Sequence, residues 1–249
     1  MSDLQRVFSR RALIPFITAG DPDLGCTAKL IRTMAESGAD MIQLGIPFSD
    51  PVVEGPVVQA ANVRAMKRAI TSDDMFDMIK ELRRDCDVPI AVRTYANQVF
   101  VYGIDRFLDR CNEVGVCAIL IPDIPYEERP EFQGSCRDHG VALMTVITPS
   151  HQEREDMIAS DADGFLYFIP SSGEPLDGER LESFITRMRD VSDLPCVIGS
   201  DSLIYGVPTS ADGVLLVPDV VETIVANYDD PVAPVAKLVA GYRKIIDSL

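Results

Sequence analysis

The chain contains no tryptophan, only two histidines (His139 and His151) and only five lysines in 249 residues. It also lacks any CxxC pair, any Gly-x-Gly-x-x-Gly stretch and any low-complexity block. Most of these shortages remove a class of function; the lack of tryptophan alone excludes nothing. With only two histidines and no CxxC pair, no metal site is expected. The six cysteines (Cys26, Cys86, Cys111, Cys117, Cys136 and Cys196) are scattered and read as reduced core residues. No apolar run approaches the ~20 residues that span a bilayer, so no membrane association is expected. The net charge of −16 argues against nucleic acid, because phosphate neutralisation needs clustered Lys and Arg. The opening MSDLQRVFSRRALIPFITAG carries charges where the apolar centre of an export signal would run, and a cytoplasmic location is expected.

What is present is a regular alternation. At 47% hydrophobic residues and this length, the chain suits one large domain over residues 1–249 with a substantial core. Eight short β-type runs recur, at 12–18, 40–45, 88–95, 116–122, 141–147, 163–169, 194–200 and 211–217. Amphipathic segments separate most of them. GIDRFLDRCNEVG ends in the glycine expected at a helix C-terminus. TSDDMFDMIKELRRD has a capping residue, early acids and late bases, the order that a helix dipole favours. Eight β–α units in this length predict an α/β fold of the (β/α)8 TIM-barrel type. A doubly wound sheet, the competitor, usually has fewer strands and a glycine-rich first turn. Only about a dozen residues separate the seventh and eighth runs, near the minimum for a parallel crossover, which predicts a shortened seventh helix.

A barrel locates its chemistry at the C-terminal ends of the strands and in the loops that follow. Gln43, Asp50 and Glu54 follow the second strand, Arg93, Tyr95 and Asn97 the third, and Asp123 the fourth. Tyr167 and the SSGEPLDGE loop follow the sixth, Ser200 and Asp201 the seventh, and Asp219 the eighth.

Four stretches taken in order, PFITAGDP (15–22), QLGIPFSDPVVEGPVVQAANVRA (43–65), YANQVFVYGIDRF (95–107) and IPDIPYEE (121–128), resemble the tryptophan synthase α subunit. The likeness runs over roughly residues 12–180 and thins towards the C-terminus; the pattern PFSDPxxxGPxxQxAxxRA is highly specific. The resemblance implies a (β/α)8 barrel that cleaves indole-3-glycerol phosphate to indole and glyceraldehyde 3-phosphate without a cofactor. It also implies a β-type subunit, a pyridoxal-phosphate enzyme, as partner.

Carried over position by position, the family's machinery is altered. Gln43 stands where the family's first catalytic carboxylate, a Glu, is expected, and an amide cannot shuttle a proton. Glu54 stands at the second catalytic position, an Asp in the family, and is one methylene longer. Phe16, Tyr95, Asn97, Asp123 and Tyr167 match the family's ligand-facing positions. Arg93 replaces an apolar residue and Ser200 a Phe. A buried guanidinium needs a counter-charge, and Glu54, Asp123 or Asp201 could supply it. The phosphate site is expected to be lost. The turn carrying Gly173 has Pro175 and Leu176 where Thr and Gly are expected, and Pro175 has no N–H to donate. Gly199-Ser200-Asp201 replaces a Gly-x-Gly and brings a carboxylate. Val217-Pro218, followed by Asp219, replaces the usual Gly-Ser. Free amides at a helix N-terminus hold anions, and added acids oppose them.

A Schiff-base aldolase needs a lysine near a strand end, but Lys29, Lys67, Lys80, Lys237 and Lys244 all fall in helical segments. A metal-dependent aldolase needs convergent His or carboxylate ligands, and His is scarce. Two readings remain open. In one, the chain is a lyase of the tryptophan synthase α type, either weak on the usual substrate or active on an unphosphorylated, carboxylate-bearing analogue received by Arg93. In the other, it is a non-catalytic homologue that binds a ligand or a partner through the retained loop.

Overall fold

The computed structural model describes residues 2–149, 151–169, 178–199, 208 and 210–248. Nine strands run parallel: β1 (Ala12–Thr18), β2 (Ile42–Gly45), β3 (Ile90–Arg93), β4 (Val116–Leu120), β5 (Ala142–Leu143), β6 (Thr145–Ile147), β7 (Leu166–Phe168), β8 (Cys196–Gly199) and β9 (Gly213–Leu216). Their order is β5-β4-β3-β2-β1-β9-β8-β7-β6. β5 and β6 are two pieces of one run broken at Met144, and β5 pairs with β4 while β6 pairs with β7. The run at 141–147 therefore closes the circle, and eight strand stations form the expected TIM barrel.

Helices α1 (Asp3–Val7), α2 (Leu24–Glu36), α3 (Pro56–Met66), α4 (Ser72–Leu82), α5 (Ala96–Tyr102), α6 (Ile104–Glu113), α7 (Pro130–Asp138), α8 (Gln152–Ser160), α9 (Gly178–Val191), α10 (Pro218–Ala226) and α11 (Val232–Asp247), with a single 3-10 turn at Tyr126–Glu128, complete the described elements. The expected shortened seventh helix falls mostly on residues 200–207 and 209, outside the described residues. Of the rest of that crossover, Pro208 and residues 210–212 are not helical.

Alternation along the strands divides the core in two. Leu13, Ile17, Ile42, Leu44, Ile90 and Val92 point outward and pack with the helices. Ala12, Ile14, Ala91, Ala118, Phe165 and Leu215 fill the barrel interior. Branched and small side chains suit these two layers because strand periodicity puts alternate residues on opposite faces. The N-terminal end of the interior is plugged by α1, whose Val7 joins the inner cluster while Phe8 meets the Phe165 ring edge-on at 5.3 Å. Ser2 starts that short helix with a capping box, accepting from Gln5 N at 3.2 Å and donating to Gln5 Oε1 at 2.9 Å.

The opposite end carries a firmly tied loop after β2. Asn62 Oδ1 accepts from Phe48 N at 2.8 Å, Gln98 Nε2 donates to the Pro47 carbonyl at 2.9 Å, and Gln59 Nε2 donates to the Glu54 carbonyl at 2.8 Å. These bonds hold the 46–55 segment between α3 and α5. Gly103 (φ 93°) turns the chain from α5 directly into α6, a left-handed conformation that favours glycine.

All six cysteines are free thiols. Burial pushes the Cys196 thiol up to about 11 and those of Cys117 and Cys136 up to about 12, so these three stay protonated at neutral pH. Among the described residues, no helix is long and apolar enough to cross a membrane and no His/Cys/Asp/Glu group is placed to hold a metal ion.

Candidate functional site

At the C-terminal end of the barrel lies a cavity of about 250 Å³. Its described lining combines apolar Val57, Val217 and Ile169 with Tyr167, Glu54 and Arg93. Two larger hollows are more open and lie elsewhere. One of about 490 Å³ sits beside Arg11, Arg189 and Arg243, and one of about 400 Å³ beside Thr71 and Tyr102. The smaller, more enclosed cavity stands where barrel chemistry is found.

The depth of each residue follows from register. Gln43 pairs with Phe16 on β1 and Ala91 on β3; Gly45, two residues on, pairs with Arg93. Gln43 therefore sits one inner layer below Arg93. It is fully buried and is not part of the cavity lining. Its Nε2 approaches Met144 Sδ at 3.9 Å, a weak acceptor, and its Oε1 has no hydrogen-bond partner among the described residues. Gly45 leaves room for the Phe16 ring: a Cβ there would come within 2.9 Å of Phe16 Cζ.

Arg93 Nε lies 2.8 Å from Glu54 Oε1, with both side chains almost closed off from solvent (6% and 5% exposed). The Nε–H is not aligned on the oxygen, so the contact is an ion pair rather than a hydrogen bond. The guanidinium also stands over the Phe16 ring, 5.5 Å from its centroid. Of the three acids that could have neutralised Arg93, Glu54 does so. Burial raises the Glu54 carboxyl above its ordinary range, and the Arg93 charge pulls it back only in part.

Tyr95 is buried and stacks on Phe48, with centroids 4.6 Å apart and planes at 23°. Burial and the nearby Glu54 charge push its hydroxyl well above the usual phenol range, so it remains protonated. Asp123 serves α5 instead of the cavity: its carboxylate accepts from Ala96 N at 3.0 and 3.3 Å, capping that helix. Asn97, one residue further along α5, is exposed and lines the hollow beside Thr71. Gly173, Ser200 and Asp201, with Pro175 and Leu176, lie outside the described residues. Thus Glu54, Arg93 and Tyr167 meet on the cavity, Phe16 and Tyr95 support it, Gln43 lies beneath it, and Asn97 and Asp123 stand apart.

Two further features lie at and after the end of the first strand. Thr18, at the end of β1, has a buried hydroxyl with no partner among the described residues; alternation with Ile14 and Phe16 could have placed it inward. Asp21 and Arg64 form a forked pair at 2.9 and 2.6 Å, and no local spacing signals a contact across 43 residues. Pro218 opens α10 at the cavity without a side-chain cap. Asp219 sits in that first turn, where its Oδ1 accepts from the Tyr242 hydroxyl at 2.9 Å.

A profile of the tryptophan synthase alpha chain family matches residues 3–247. A tryptophan synthase alpha chain of Lacticaseibacillus casei is 36% identical, with the match covering all of this chain and 97% of that one. A second, from Alkaliphilus metalliredigens, is also 36% identical over 90% of this chain and 87% of its own length. Among solved structures, tryptophan synthase subunit alpha from Legionella pneumophila superposes with a TM-score of 0.90 at 28% identity, covering both chains completely. A chain of a tryptophan synthase complex from Pyrococcus furiosus gives a TM-score of 0.81 at 26% identity, over 96% of this chain and 99% of that one. By sequence and by fold, this chain belongs to the tryptophan synthase alpha chain family.

Proposed function

We propose that this chain is a tryptophan synthase α-type barrel in which cleavage of indole-3-glycerol phosphate is reduced to a residual rate. One observation carries the reading: among the described residues, the cavity offers no free carboxylate. Gln43 is a neutral amide beneath it, and Glu54 is paired with Arg93. Retro-aldol cleavage moves protons onto and off the substrate, and a positioned acid–base group contributes about 10²–10⁴-fold to such a step. Glu54 is the group left to act, and to do so it must leave a buried cation. Weak phosphate binding is a further part of the proposal. It is supported by Pro218, which lacks an N–H at the start of α10, and by the acid at 219 in the same turn.

The test is incubation of the purified chain with indole-3-glycerol phosphate while indole release is followed. Release about 10²-fold or more below that of a tryptophan synthase alpha chain assayed alongside supports the reading. Release at the relative's own rate overturns it.

A second reading, binding of a partner such as a β-type subunit through the retained loop, is favoured by exposed apolar side chains. Val52 and Val53 on that loop, and Phe100 and Val101 on α5, are all solvent-exposed. Sedimentation with and without a tryptophan synthase β chain tests it: co-migration supports partner binding, and independent migration of the two chains rejects it.

A further inference from the structure

The cavity holds two opposite charges with unused bonding capacity. Neither Arg93 nor Glu54 makes a side-chain hydrogen bond to a described residue, and the contact of Arg93 Nε with Glu54 Oε1 at 2.8 Å is unaligned. A guanidinium presents a fork of N–H donors, and a carboxylate accepts several hydrogen bonds. Most of that capacity is unspent. Both side chains are nearly closed off from bulk water and both line the cavity, and Arg93 Nε is fully buried without an aligned acceptor, so its unmade bond is costly.

Charge arithmetic selects what can fill them. The pair is neutral as a unit. A monoanion would bring a net negative charge beside Glu54, a phosphate ester would bring more, and an amine would bring a net positive charge beside Arg93. A zwitterion adds no net charge, while giving Arg93 a carboxylate and Glu54 an ammonium. Spacing narrows the choice further. The two protein groups touch, so the ligand's charges must also be neighbours, as on an α-amino acid and not on a chain with charges at opposite ends. The rest of the described lining, which includes Tyr167, Ile169, Val57 and Val217, carries no charged side chain. About 250 Å³ lies below the roughly 300–1,000 Å³ usual for small-molecule sites, which favours one residue over a peptide.

We propose that the mouth cavity binds a free α-amino acid with an apolar side chain. Its carboxylate lies on Arg93, its ammonium on Glu54, and its side chain against Tyr167 and the aliphatic wall. This assignment rests on the reading of the barrel mouth as a ligand site.

Titration calorimetry on the full chain with L-phenylalanine, 2-phenylethylamine, 3-phenylpropanoate and 6-aminohexanoate tests it. L-Phenylalanine is expected to bind, and the other three at least ~10-fold more weakly, since each leaves one buried charge unanswered or misplaced. In Glu54→Gln, the order of phenylalanine and phenylpropanoate should reverse, because the ammonium loses its partner and Arg93 keeps its charge. The wild-type series alone decides the matter if that variant fails to fold. Phenylpropanoate binding the wild type as tightly as phenylalanine overturns the proposal and leaves a plain anion site. No binding of phenylalanine also overturns it. In that case, binding or cleavage of indole-3-glycerol phosphate would show that the mouth is still a ligand site; its absence would remove that reading too.

Discussion

Two ion pairs, each with a buried carboxylate, are built differently in this barrel. Arg64 meets Asp21 through two aligned bonds, Nε to Oδ1 at 2.9 Å and a terminal nitrogen to Oδ2 at 2.6 Å, with the Tyr228 ring 5.8 Å from the guanidinium carbon. Arg93 meets Glu54 through one unaligned approach and faces a cavity. The first arrangement spends the bonding capacity of both partners on tying the β1 loop to α3. The second keeps that capacity available. A pair that is satisfied internally reads as scaffold; one that is buried, neutral and unsatisfied reads as a receptor for something else.

Breaking the scaffold pair should have the largest effect. Arg64→Ala leaves Asp21, only 2% exposed, without its cation, and urea denaturation should show a loss of about 3–5 kcal/mol. A loss below about 1 kcal/mol would place this pair with ordinary surface salt bridges and erase the contrast.

The mouth pair should respond to a double replacement in the opposite direction. Arg93→Met with Glu54→Leu removes both charges and fills part of the cavity, and stability is expected to hold or rise by about 1–4 kcal/mol. Arg93→Met alone should be the less stable of the two, because it strands Glu54. A double variant that unfolds more readily than the single one would show that the pair is structural after all.

A smaller gain is expected one layer down. Gln43→Leu removes an amide oxygen with no partner among the described residues and leaves a side chain suited to the Met144 contact, for a gain of about 1 kcal/mol. A loss instead would show that Oε1 is satisfied.

The smallest effect is a pH dependence. The folded-state pKa of Glu54 is raised by burial, so between its unfolded and folded values the native state binds more protons. Its contribution therefore favours the native state as pH falls through the raised value and is lost as pH rises. The stability difference between wild type and Glu54→Gln should shift towards wild type from about pH 7 to about pH 5. A shift the other way would mean that Arg93 dominates desolvation.

The fold was largely legible from periodicity. All eight β-type runs became strand stations, because alternation of apolar residues and the turn residues between them are local signals. The break at Met144, which splits the fifth run, is not local: its N–H donates across to Ile119 O at 2.8 Å, and only the closed barrel sets that geometry. The site was legible in part. Alternation along β3 puts Arg93 inside with Ala91, but three acids could have answered it, and choosing among them needs the path of the loop between β2 and α3. Asp123, at a ligand-facing position of the resemblance, caps α5. Asn97, at another such position, is exposed on α5. The family resemblance marks both positions but does not settle where their side chains are used.

The most direct test of the account is indole release from indole-3-glycerol phosphate by Gln43→Glu, measured beside the wild type and a tryptophan synthase alpha chain. Restoring the carboxylate is expected to gain little, with release still about 10²-fold or more below the relative, because Glu54 remains held by Arg93 and weak phosphate binding is part of the proposal. Recovery of the relative's rate by this single change would contradict it.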